Sequence, residues 1–160
     1  MMDMVAFFSD HQVSVGERVE RECALGEVEQ SLPLALEAVK KTGRRWVCIL
    51  ESVRDPTKYV QVLVTESGSM WTECVSNAFL DKNDRLQDSQ CELLPTLGWE
   101  WPGPPAFPNW HFHDELLNTG SAVAGLMCRT LRQVFVVGGG DMIRAITLQL
   151  GVRMTLAEQT

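Results

Sequence analysis

The apolar positions of this chain change period along its length. In YVQVLVTE they alternate: Tyr59, Gln61, Leu63 and Thr65 fall on one side, and Val60, Val62 and Val64 on the other. In MWTECVSNAFL, Met70, Thr72, Cys74 and Ser76 oppose Trp71, Glu73, Val75 and Asn77. WVCILES, just before, is a short apolar run with no helical stripe. These three segments predict strands. The joins RDPTK and ESGS carry turn residues, and the second is short enough for a hairpin. The spacing therefore predicts an antiparallel meander rather than βαβ units.

Elsewhere the period is helical. SLPLALEAVKKTG places Leu32, Ala35, Leu36 and Val39 on one stripe. Ser31 is its expected N-cap, Pro33 falls in the first turn and Gly43 is the stop. DKNDRLQDSQCELLPTLGW predicts a second helix on Leu86, Leu93, Leu94 and Leu97. Asp84 or Asp88 would cap it and Gly98 would end it. From Thr119 or Ser121, TGSAVAGLMCRTLRQVF shows the strongest stripe: Val123, Leu126, Met127, Thr130, Leu131 and Val134. The glycine run at 138–140 breaks it, and DMIRAITLQL, with Asp141 as cap, reads as one more helix. Residues 1–30 are weakly patterned and read as an arm or a marginal helix. Residues 31–160 read as a single domain. The class is α+β, an antiparallel sheet flanked by helices.

Composition narrows the function. A net charge of −7 argues against nucleic-acid binding and against an anionic membrane surface. No apolar run reaches the ~18 residues of a membrane span, and the N-terminus lacks the basic flank of a secretory signal. The five cysteines, Cys23, Cys48, Cys74, Cys91 and Cys128, are odd in number and form no CxxC pair. They read as free, buried thiols of a cytoplasmic protein.

Candidate chemistry is sparse. In HFHD, His111 and His113 would point the same way on a strand, which suits a metal, but a third ligand is missing. VFVVGGGDMIRA places glycines before an expected helix without GK[ST] or GxGxxG, and its aspartate would repel phosphate; a helix–helix hinge is the better reading. No nucleophile motif is visible. The expectation is a non-enzyme with no cofactor and no metal. One segment stands out: PTLGWEWPGPPAFPNWHF, residues 95–112, holds five of the seven prolines and three of the five tryptophans. It reads either as core packing stiffened by proline or as a preorganised groove for a peptide or a second copy. The candidate partner-binding residues are Trp71, Trp99, Trp101, Phe107 and Trp110.

VSNAFL (75–80), RL (85–86), LGWEWP (97–102), NW (109–110) and RTLRQVF (129–135) stand in the order and spacing of the actinobacterial TY-Chap domain. That family is related to the YbjN proteins and, by fold, to type III secretion chaperones. The chain resembles it over roughly residues 31–150. VVGGGDM stands where the family usually has a proline. The resemblance implies a twisted antiparallel sheet with helices packed on it. It further implies a chaperone-like or adaptor role, binding a peptide or protein client and forming a homodimer as the secretion chaperones do. Val75, Ser76, Asn77, Leu80, Gly98, Trp99, Pro102 and Trp110 fall at motif positions, with no catalytic residue among them. The acidic balance favours a neutral to basic client. The alternative is a small-molecule-binding regulatory domain in which the Trp/Pro segment closes a pocket. Val5, Phe7 and Phe8 also invite the idea that the arm mimics a client.

Overall fold

A computed structural model describes residues 18–103 and 105–150. Val5, Phe7 and Phe8, and with them the expected client-mimicking arm, lie outside the described residues. Six strands form one sheet: β1 (Arg18–Ala24), β2 (Arg45–Ser52), β3 (Tyr59–Val64), β4 (Met70–Cys74), β5 (Trp110–Phe112) and β6 (Met142–Leu150). The helices are α1 (Leu25–Lys40), α2 (Asp88–Leu97) and α3 (Gly120–Arg129). Across the sheet the order is β1-β6-β2-β3-β4-β5, and every neighbouring pair is antiparallel. The class is α+β, as the alternation predicts, and β2, β3 and β4 form the expected meander.

Two ends of the expected order are corrected. Residues 141–150 are a strand, not a helix. β6 lies inside the sheet, bonded to β1 on one side and β2 on the other. It is buried along most of its length, so its apolar residues fall on both faces and blur the period. The glycine run is consequently a helix-to-strand turn rather than a helix–helix hinge. At the other end, residues 18–30 are neither arm nor isolated helix. Arg18–Ala24 pair with β6, and the helix begins at Leu25. Ser31 is not its cap but donates to the Glu27 carbonyl within it. Pro33 lies mid-helix.

The glycine turn explains why α1 needs no side-chain cap. The amides of Leu25 and Gly26 donate to the carbonyls of Asp141 (3.0 Å) and Gly139 (2.9 Å). These satisfy two of the orphan donors at the helix start. The Asp141 carboxylate in turn accepts from the Gly138 amide at 2.7 Å. Carbonyl oxygens thus fill the place a phosphate would take.

α2 is capped by a reciprocal pair, Gln87 with Gln90, rather than by Asp84 or Asp88. Gly98 ends it in the left-handed conformation (φ 118°), which its lack of a Cβ permits. Thr119 caps α3, accepting from the Ala122 amide. The last turn after α3 widens into a π-turn over Thr130–Val134.

The core lies on one side of the sheet. Trp46, Cys48, Leu50, Val60, Val62, Val64, Met70 and Cys74 alternate toward it, where Leu32, Leu36, Leu94, Met127 and Leu131 of the helical segments meet them. α1 and α3 cross closely at Gly120, whose amide donates to Glu37 Oε1 at 2.5 Å. A Cβ there would run into the Pro33 carbonyl oxygen.

Candidate functional site

Because directly opposite residues of an antiparallel ladder share a face, the register defines the opposite side of the sheet. One row runs Leu148, Val47, Leu63, Trp71 across β6, β2, β3 and β4. The next runs Ile146, Ile49, Gln61, Glu73, His111. A third is charged: Arg144 lies between Glu22 and Glu51, at 3.2 and 3.0 Å. None of these residues belongs to the helix-covered core cluster. Ile146 is buried even so, while Val47, Ile49, Leu63 and Trp71 are only partly buried.

The first row borders a cleft of about 190 Å³. Val47, Leu63, Trp71 and Leu150 form its apolar lining, with Arg45, Gln61, Val62 and Glu73 completing it. Arg45 pairs with Leu150 and Glu73 with Gln61, so the cation and the carboxylate flank the apolar row from opposite sides. Arg45 faces Glu66 at 3.7 Å. Glu73 Oε2 accepts from the Gln61 amide at 2.6 Å.

An aromatic shelf extends the cleft toward β5. The Trp71 ring stacks with His111 (centroids 5.4 Å apart, planes 5° apart) and with Phe107 (5.6 Å). His113 lies 5.7 Å from it. Phe107 and His111 stack at 4.8 Å. The Trp/Pro segment delivers Phe107 by folding back on itself through two backbone bonds between Gly103 and Phe107. Glu100 pairs its backbone with His111, and its carboxylate lies 3.0 Å from His111 Nε2. His113 Nδ1 donates to the Met70 carbonyl at 2.9 Å.

The five tryptophan and phenylalanine candidates are divided by the structure. Trp71 and Phe107 meet on the shelf, and Phe107 is 44% exposed. Trp101 is 61% exposed and lies 4.5 Å from Trp110. Trp99 and Trp110 are buried in the core. Trp99 Nε1 donates to Thr130 Oγ1 at 2.8 Å, and Thr130 donates on to the Leu126 carbonyl. Other motif residues also hold the chain together. Asn109 Oδ1 accepts from the Ser76 amide, and the Asn77 side chain bonds both the amide and the carbonyl of Leu86.

Sequence reasoning missed Val47, Leu63, Gln61, Glu73 and Glu100. The His-x-His spacing did signal that His111 and His113 share a side, but the group that meets them is an indole. Among the described residues no group of three or more His, Cys, Asp or Glu is placed to hold a metal ion. Burial pushes the thiols of Cys48 and Cys74 well up, and that of Cys128 up to about 12. These thiols behave as apolar filler, not nucleophiles. No helix among the described residues is long and apolar enough to cross a membrane.

Two further clefts lie elsewhere. One of about 370 Å³ sits between the β2–β3 turn and the start of β6, and one of about 210 Å³ lies between α1 and α3. Residues 95–112 line none of the three.

A family model, TY-Chap3, described as T3SS (YopN, CesT) and YbjN peptide-binding chaperone 3, matches residues 25–145. No curated protein and no solved structure matches the chain.

Proposed function

This chain belongs to the TY-Chap3 family of peptide-binding chaperones, and from that premise we propose that it is a non-enzymatic chaperone-like or adaptor domain that takes a client segment on the open face of its sheet. The observation that carries this reading is the apolar row Leu148–Val47–Leu63–Trp71, which the described helices leave uncovered. Apolar area left in water costs roughly 25 cal/mol per Å² relative to burial, so a client that covers the row recovers that free energy. Trp71 and Phe107 are the anchors. Trp101 sits at the β5 rim against the buried Trp110, and Trp99 anchors the segment to the core through Thr130.

An aromatic shelf held by hydrogen bonds on both histidines is preorganised, which lowers the ordering cost of binding. Five unpaired cysteines suit a reducing, cytoplasmic setting. The proposal includes a homodimer, which light scattering on the full chain would read.

The test is a peptide array probed with the full chain and with Trp71→Ser. The native chain should retain a subset of extended apolar peptides and Trp71→Ser should lose about tenfold in affinity for them. Retention unchanged by that substitution would remove the open face as the site.

A further inference from the structure

The cleft beside Trp71 also has a charge pattern, and it points to one kind of client side chain. Each arginine on the open face is already paired. Arg18 lies 2.7 Å from Glu20, Arg45 lies 3.7 Å from Glu66, and Arg144 bridges Glu22 and Glu51. Glu73 differs. Among the described residues its one hydrogen bond is from the neutral Gln61 amide to Oε2. From those residues its other oxygen, Oε1, accepts none. Yet Glu73 borders the apolar cleft, two residues from Trp71 on the same strand face. The Glu100 carboxylate adds negative charge across the shelf, next to His111.

A side chain that matches this has an apolar stem, a flat cationic head and donors arranged in a fork. We infer that the open face reads an arginine of its client. The stem lies on Leu63, the guanidinium stacks against Trp71, and its donors reach the free oxygen of Glu73. Arginine fits better than lysine because its planar head stacks on an indole while bonding a carboxylate. Its stem also covers apolar surface while the head stays polar. The chain's net charge of −7 steers such a client toward the face. This inference rests on the proposed reading of the face as a peptide site.

The test uses the full chain and two labelled peptides of alternating valine and serine. One carries a single central arginine, and its twin carries glutamine there. Fluorescence anisotropy should show the arginine peptide binding about tenfold tighter, with the gap narrowing as salt is raised. Glu73→Gln should close the gap between the twins, bringing the arginine peptide's affinity to that of the glutamine peptide. Equal binding of the twins, both weakened by Trp71→Ser, would overturn the arginine inference and leave the face as a peptide site. A preference that survives Glu73→Gln would overturn it too. If neither peptide binds, the face is not a peptide site and both readings fall.

Discussion

The two faces of one sheet are made by the same strands, residue by alternate residue, yet they have opposite fates. On the inner face Trp46, Cys48, Leu50, Val60, Val62 and Val64 are sealed by α1, α2 and α3. On the outer face Val47, Ile49, Leu63 and Trp71 have comparable apolarity and stay partly open. A sheet that needed only to fold could carry polar residues there, since an antiparallel sheet tolerates water on one side. The contrast separates residues that hold the fold from residues of the proposed client face.

The largest break of that contrast is a pair of equal truncations. Leu50→Ala removes a fully buried side chain and should cost about 2–5 kcal/mol in urea unfolding, mostly as an unfilled cavity. Leu63→Ala on the open face should cost about 1 kcal/mol or less. Similar costs would mean that something seals both faces alike.

Next comes the helix crossing on the inner face. Gly120→Ala forces α3 away from the Pro33 carbonyl and should cost about 1–3 kcal/mol, read by thermal melting. Peptide binding on the outer face should persist at temperatures where the variant stays folded.

Within the Trp/Pro segment the same division recurs between neighbours. Trp99→Phe removes the donor to Thr130 and should cost about 1–2 kcal/mol. Trp101→Phe, on an exposed ring, should leave stability within about 0.5 kcal/mol.

A separate effect is alkaline. The inner-face thiols of Cys48 and Cys74, with Cys128 on α3, are raised by burial from an ordinary value of 9.0. Their folded values exceed the unfolded one, so their stabilisation is complete below pH 9 and is lost as pH rises through the window up to about 12 set by Cys128. One pH unit into that window the loss is about 1 kcal/mol per thiol. Urea midpoints measured across this range would show it, and a Cys48→Ala variant should show a shallower decline.

Much of this contrast was legible in the chain. Strict alternation in YVQVLVTE marks a half-covered strand, and Gly98 and Thr119 mark helix ends by their own chemistry. β6 was not legible. Ile143 and Ala145 face one side, and Ile146 and Leu148 the other, so a strand apolar on both faces mimics a helix stripe after an apparent Asp141 cap. Its β-branched Ile143, Ile146 and Thr147 were the signal to weigh. β1 was hidden by its charges, RVERE, which suit the terminal strand of a sheet. The site was legible only as a set of aromatics. Which of them face outward depends on Gly98 and on the Gly103–Phe107 fold-back, and the rows that join Trp71 to Val47 exist only once register is fixed.

The most direct test of the central claim compares Trp71→Ser on the open face with Leu34→Ser, an exposed leucine on α1. Leu34→Ser should melt like the native chain, and Trp71→Ser, which loses its ring contacts, should melt lower but stay folded at the assay temperature. Binding of the labelled valine–serine arginine peptide should weaken about tenfold in Trp71→Ser and stay unchanged in Leu34→Ser. Loss of binding in Leu34→Ser with Trp71→Ser unaffected would move the site to the helical side and contradict the account.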